Sequence, residues 1–307
     1  MRRVFVAAAL GALCCLPAVA QPQVDYSKLE IKTTDLGHGV YLLGWQGGDS
    51  LILVGDDGVL LVDTSVAQMG DKIKAAIAKV SSKPIKLVIN THAHADHFGA
   101  NEAMAKGGAV IVGHDGLRER MVKGFTAFNQ AIPPSPPAAL PTVTYADAMT
   151  LHFDGETIQL FHPPNAHTDS DTLVHFQRAN VIHASGTFGG DGGYAFFDSS
   201  TGGSLAGMIV AEEKMLSLAD DKTRIIPDEG DPASTEALRA SRDALVAIRA
   251  RVQKSIDEGK SEDEAVAAKP TKDLDARWVR QGGFLTGDTF TRMAYQSLKS
   301  VKPLTAR

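Results

Sequence analysis

Cysteine is nearly missing from this sequence. Its 307 residues hold two, Cys14 and Cys15. Both lie in an N-terminal stretch that reads as a secretory signal peptide. Arg2 and Arg3 precede an apolar run, Val4 to Leu16, and Ala18-Val19-Ala20 then gives a small-x-small cleavage pattern. Cleavage there makes residues 1–20 the signal and 21–307 the mature chain, released to the periplasm or secreted. It also removes every thiol, which excludes disulfides and thiolate ligands. Any metal site must then be built from His, Asp and Glu. Long apolar runs are lacking too: the leader run is too short to span a bilayer comfortably, so no stable membrane insertion is expected after cleavage. There is no excess of basic charge. Lys and Arg number 31 against 36 acids, a net of −5, which argues against a nucleic-acid partner. A Gly-x-Ser-x-Gly elbow and a phosphate-binding Gly-x-x-x-x-Gly-Lys loop are also missing. Finally, none of the 10 histidines lies beyond His183.

What is present suits a globular chain: 44% hydrophobic and 22% charged residues suffice to bury a full core. Length alone allows two domains or one large one. Apolar runs at 40–45, 51–54 and 59–63, separated by Gly-rich turns, predict an antiparallel meander. The stripe Met69, Ile73, Ala76, Ile77, Val80 predicts a helix over 68–80. A buried strand is expected at 86–90, then a His- and Asp-rich loop, a helix from about 99 to 106, a strand at 109–112 and a helix at 117–122. Further strands are expected at 149–153, 157–161, 172–177, 180–184 and 223–226, with helices at 205–218, 234–258, 262–269 and 289–301. The five prolines between Pro133 and Pro141 predict an extended surface segment, either a plain connector or part of a flap. No linker separates independent domains, so the expectation is one domain over 21–307, helical from about 233 to 307. Interleaved strands and helices give an α/β class, or α+β by some schemes.

The informative segment is Thr91-His92-Ala93-His94-Ala95-Asp96-His97-Phe98-Gly99. His92 and His94, two apart in extended chain, point to one side. Asp96 and His97 follow a turn and can face a second position. Four ligand-type side chains at this spacing after a strand point to metal.

His-x-His-x-Asp-His after an apolar strand resembles the metallo-β-lactamase superfamily. The resemblance runs from about 40 to 230. It includes the Gly-Val-Leu-Leu-Val-Asp strand at 58–63 and Asn165-Ala166-His167-Thr168-Asp169. It implies an αββα sandwich with metal at one edge of the sheets. It further implies a first metal site of His92, His94 and His167, with Thr168 and Asp169 orienting a ligand. The second site starts with Asp96 and His97 but departs from the family pattern. Gly186 stands where a bridging Asp is usual, and Glu229, in Pro227-Asp228-Glu229-Gly230, stands in the place of a His. Either this site is weakened, or Glu229 serves as its ligand. An oxygen-rich second site would favour Mn²⁺ or Fe over the Zn²⁺ expected at the first.

The resemblance implies an exported metal-dependent hydrolase acting on a small-molecule substrate. A metal-bound hydroxide attacks a carbonyl, ester or amide, with Asp96 as the catalytic carboxylate and β-lactams among the candidate substrates. The alternative is a degraded relative that binds metal or ligand without catalysis. Three lesser expectations complete the reading. His162 could support the third-ligand loop. Asp191, in a Gly-rich turn, could approach the vacant bridging position. Tyr194, Phe196 and Phe197 are either core or a pocket wall.

Overall fold

The computed structural model describes residues 24–45, 47–128 and 130–300. The leader, with Cys14, Cys15 and the cleavage pattern, lies outside the described residues. Two sheets carry the fold. The first begins with β1 (Lys32–Asp35), β2 (Val40–Gly44), β3 (Ser50–Val54) and β4 (Val59–Val62), paired antiparallel in sequence order. It continues in parallel through β5 (Ile85–Ile89) and β6 (Val110–His114). A separate hairpin, β7 (Phe125–Ala127) with β8 (Gln130–Ile132), intervenes before β9 (Val143–Tyr145) closes the first sheet beside β6. The second sheet runs in chain order from β10 (Ala148–Phe153) through β11 (Glu156–Phe161), β12 (Leu173–Phe176), β13 (Val181–His183) and β14 (Arg224–Ile226) to β15 (Ala233–Ser234). Only β13 and β14 are parallel in it.

Side-chain alternation explains the layering. Along β3, Leu51 and Leu53 face the second sheet, whereas Ile52 faces outward; along β4, Leu60 and Val62 oppose Val59 and Leu61 in the same way. The inward set meets Ile158, Leu160, Val174, Phe176 and Ile226 of the second sheet, forming the inter-sheet core. The outward set is covered by α1 (Gly70–Ala78) and by α3 (Asn101–Lys106), which follows the one-turn α2 (Ala95–Phe98). Strands buried on both faces read as continuous apolar runs, which is why the sequence marks them so clearly. On the far side, Ile182 and Ile225 pack against Met215 and Leu238. These belong to α5 (Leu205–Leu218) and α6 (Thr235–Asp257), which follow α4 (Asp115–Lys123) in the chain. Helices thus cover both outer faces, giving the expected α-β-β-α order. Ser204 and Ser234 cap α5 and α6 by accepting from Gly207 and Ala237 backbone N–H groups. The chain ends in α7 (Glu262–Ala267), α8 (Asp275–Trp278) and α9 (Gly287–Ser300), packed on α5 and α6 around Leu245, Ile248 and Phe290. Among the described residues, no helix is long and apolar enough to cross a membrane.

The differences from expectation lie in short elements. β1, β9 and α8 carry three or four residues each and give too little periodicity to read. The β7–β8 hairpin is also unanticipated. The proline segment is a connector: Ala139, in its 3-10 turn, is buried against Ala93, Phe98, Leu117 and Met121. The flap-like element is the hairpin before it.

Candidate metal centre

Parallel strands deliver the site. The ends of β4 and β5 carry Asp63 and the His92–His97 segment, and the ends of β13 and β14 carry Ser185–Gly186 and Asp228. Loops beyond the carboxyl ends of parallel strands are where α/β sheets place ligands. The motif loop is fixed from β4: Asp63 Oδ1 accepts from the Thr91 backbone N–H (2.8 Å) and Oδ2 from the Thr91 hydroxyl (2.6 Å). Thr64 N–H donates to the His97 carbonyl at 2.8 Å.

His92, His94 and His167 converge, all buried, with one nitrogen of each within 4.8 Å of the others. His94 Nδ1 lies 3.0 Å from His167 Nε2, and His92 Nε2 is buried without a hydrogen-bond partner. The opposite nitrogen of each ring is engaged. His92 Nδ1 meets the hydroxyls of Thr91 (2.9 Å) and Ser185 (3.2 Å). His94 Nε2 meets Asp198 Oδ2 at 3.2 Å, and His167 Nδ1 donates to the Phe196 carbonyl at 2.6 Å. Outer groups that fix tautomers while the inner nitrogens converge are what a metal site requires. The chemistry fits a borderline divalent ion: three imidazoles, with His92 Nε2 left without a partner among them. Burial, then the neighbouring imidazoles, lower the pKa of His92 well below its usual range. Burial, then His94, does the same for His167. Both rings are therefore deprotonated and ready to ligate at neutral pH.

A second donor group comprises His92, His97 and Asp228. His97 Nε2 stands 3.3 Å from Asp228 Oδ1 and 3.6 Å from Asp96 Oδ2. His97 Nε2 and Asp228 Oδ1 are both buried without a hydrogen-bond partner, whereas His97 Nδ1 lies 2.8 Å from Asp63 Oδ2. Burial by itself would lower the His97 pKa, but Asp228, Asp96 and Asp63 outweigh it and hold the ring well above its usual value. Burial pushes Asp228 up to about 6 against the opposing pull of His97.

The expected Glu229 is not in this group. It is exposed at the cleft, and its neighbour Asp228 turns inward instead. The cause is the clamp on the turn: Asp49 N–H donates to the Asp228 carbonyl at 2.9 Å, and Asp49 Oδ2 accepts from Gly230 N–H at 3.1 Å. Two adjacent residues in an extended turn face opposite ways, so one of them is solvated.

Gly186 is held by packing. A Cβ at this position would stand 2.2 Å from His167 Cδ2 and 2.5 Å from its Nε2. No side chain, a bridging Asp included, fits there beside His167. Asp191 does not approach the gap; it pairs with Arg277 at 2.9 Å on the surface. Nor does Asp169 support the ligands, since it pairs with Arg120. That support comes from Asp171, whose Oδ2 accepts from the His167 backbone N–H at 2.7 Å and whose Oδ1 accepts from the Thr168 hydroxyl at 2.8 Å. His162 Nδ1 donates to the Asp171 carbonyl at 2.8 Å.

Sequence reasoning missed Asp198, Asp171, Asp228 and Phe128. Phe128, at the hairpin tip with φ of 49°, stacks on His94 at 4.3 Å and donates its N–H to Asp198 Oδ2 at 3.1 Å. No local pattern marks it. Phe196 lines the cleft beside it, as one of the two expectations held, whereas Phe197 is core.

The family model described as "Metallo-beta-lactamase superfamily" matches residues 43–253. Among solved structures, a metallo-beta-lactamase from Pontibacter korlensis aligns with TM-score 0.59 and 16% identity, covering 71% of this chain and 99% of that one. A metallo-beta-lactamase from Hirschia baltica gives 0.57 and 21%, covering 70% and 98%. The stereoselective inverting sec-alkylsulfatase Pisa1 from Pseudomonas sp. gives 0.66 and 17%. That alignment covers 87% of this chain but spans only 50% of the sulfatase.

Proposed function

The chain belongs to the metallo-β-lactamase superfamily, and from that membership and the site we propose that it is an exported, metal-dependent hydrolase of small-molecule esters or amides. Export follows from the residue 1–20 signal, leaving 21–307 as one catalytic unit. The observation that carries the reading is the convergence of His92 Nε2, buried without a hydrogen-bond partner, with His94 Nδ1 and His167 Nε2, themselves 3.0 Å apart. Zn²⁺ suits the three imidazoles, and an oxygen-richer second position at His97, Asp228 and Asp96 suits Zn²⁺, Mn²⁺ or Fe. Ions held there supply Lewis acidity and make water a nucleophile at neutral pH.

The chain's own groups do the rest. Asp198 and the Phe196 carbonyl hold the rings of His94 and His167 in one tautomer each. Asp96, with its side chain 39% exposed at the cleft, is the carboxylate that accepts and passes on a proton. Phe128 covers His94 and keeps bulk water from one side of the site. β-Lactams are candidate substrates, and the sulfatase likeness adds sulfate esters to the panel.

The test is metal analysis of protein purified without chelator, followed by turnover of β-lactam, carboxylic ester and sulfate ester panels with Zn²⁺, Mn²⁺ and Fe²⁺. His94→Ala should abolish any turnover found. Metal-loaded protein that turns over none of the three classes would instead support a non-catalytic relative.

A further inference from the structure

A cleft of ≈ 370 Å³ opens onto the donor cluster, and its walls differ sharply in chemistry. One wall is a file of rings that starts at the cluster itself. His94 stacks on Phe128 at 4.3 Å, Phe128 on Phe196 at 5.4 Å, and Phe196 meets Phe284 edge-on at 5.7 Å. Phe128 and Phe284 are 51% and 69% exposed, an unusual state for two phenyl rings unless something packs on them. The cleft is also lined by Gly189 and Gly193 of the Gly-rich turn, with Arg280 against them.

Arg280 is the one cationic side chain among the described residues that line the cleft. It donates to the Gly189 carbonyl, but no described carboxylate pairs with it. Its neighbour Arg277 differs, being neutralised by Asp191. A guanidinium has five N–H donors, and one carbonyl leaves most of them for another acceptor. The glycines make room for it: a Cβ at Gly193 would sit 2.6 Å from Arg280 Nε. This gives the Gly-rich motif a purpose that ligand counting alone does not. Arg280 and Phe284 lie beyond residue 253, outside the span that matches the family model.

We propose that this cleft selects anionic amphiphiles: esters or amides with a ring-bearing apolar body along Phe128, Phe196 and Phe284, and a separate carboxylate or sulfonate on Arg280. Flat apolar groups gain most from offset contact with phenyl faces. Two oxygens of such an anion match the guanidinium fork, which a lysine would not reproduce. The inference rests on the hydrolase reading for the bond that is cleaved, and on the cleft alone for what is recognised.

The test uses zinc-loaded protein and two matched probes, the nitrophenyl ester of carboxyphenylacetic acid and the same ester with its ring carboxylate methylated. Wild type should favour the anionic ester in kcat/KM by about 10-fold, the scale of one charge-assisted contact. Arg280→Leu should erase that preference through KM while leaving the methylated ester within about twofold. Arg280→Lys should keep part of it, and Phe284→Ala should raise KM for both probes. An equal loss on both esters in Arg280→Leu would mean that Arg280 only braces the glycine turn, overturning the proposal. Calorimetric titration with carboxyphenylacetate separates the two readings. Binding that weakens about 10-fold in Arg280→Leu, without turnover of either ester, upholds the recognition and sinks the hydrolase. Binding that Arg280→Leu leaves unchanged, in a wild type with no ester preference, sinks the recognition.

Discussion

Asp198 Oδ2 lies 3.2 Å from His94 Nε2, although 104 residues separate the two in the chain. The same oxygen accepts the Phe128 N–H at 3.1 Å, so one carboxylate ties an imidazole of the three-His cluster to the hairpin tip stacked upon it. Burial opposes the charge on Asp198, but hydrogen bonds from His94, from Ser200 and from the Phe128 backbone outweigh it and lower the pKa. Asp198 therefore stays ionised across the working range and keeps the His94 proton on Nε2, with the Nδ1 lone pair turned toward the other two imidazoles. Asp198→Ala should weaken metal binding about 10- to 100-fold, and Asp198→Asn, which retains an acceptor, should recover part of the loss. Competition with a chromophoric chelator measures this. Equal affinity in all three proteins would show that Asp198 does not orient His94.

Gly186 predicts a steric failure. Gly186→Ala sets a methyl against the His167 ring, and displacing that ring should cost about 1–3 kcal/mol of stability together with much of the affinity at the three-His site. Thermal melts with and without Zn²⁺ report both. Gly186→Asp should behave worse rather than rebuild a bridging ligand. A gain of metal in that variant would show that the loop yields more easily than its packing implies.

Asp228 and Glu229 separate cleanly as variants. Asp228→Ala should lower the content of a second, weaker metal, as should His97→Ala, whereas Glu229→Ala should leave it unchanged. Metal analysis of protein dialysed against limiting Zn²⁺ or Mn²⁺ makes the comparison. Loss of metal in Glu229→Ala alone would reinstate the assignment suggested by sequence. Because carboxylates hold His97 protonated in the absence of metal, binding at this position must expel a proton and should strengthen as pH rises.

Glu212 offers a test away from the centre. Its carboxyl is buried in α5, with Oε1 accepting from the Ser241 hydroxyl at 2.8 Å and Oε2 unpartnered. Burial raises its pKa well above the usual carboxylate range. A folded pKa above the unfolded one means that the native state holds the proton more tightly. The stabilisation is then complete below about pH 4, the unfolded value, and is lost as pH climbs toward the folded one. Glu212→Gln removes this loss, so its advantage over wild type should grow from about pH 5 to pH 8, reaching about 1–3 kcal/mol. Denaturant melts at several pH values check it. An advantage that does not vary with pH would mean that Glu212 is not titrating.

The sequence by itself determined the layers and the first donor set. Strands buried on both faces must be continuously apolar, and helices over them must be striped, so both print their periods on the chain. His92 and His94 announce themselves by spacing on one short loop, and His167 by the family pattern around it. Tertiary structure decided what distant segments bring to that loop. Asp198, Asp171 and Phe128 reach it from three other loops, and a lone Asp or Phe carries no local signal of its partner. Between Asp228 and Glu229, the choice depended on which side of one turn faces inward. Asp49, some 180 residues upstream, settles it through its bond to the Gly230 N–H. Composition leaves the described residues His, Asp and Glu but no thiol as donors, whereas the clamp on a single turn set Asp228 rather than Glu229 beside His97.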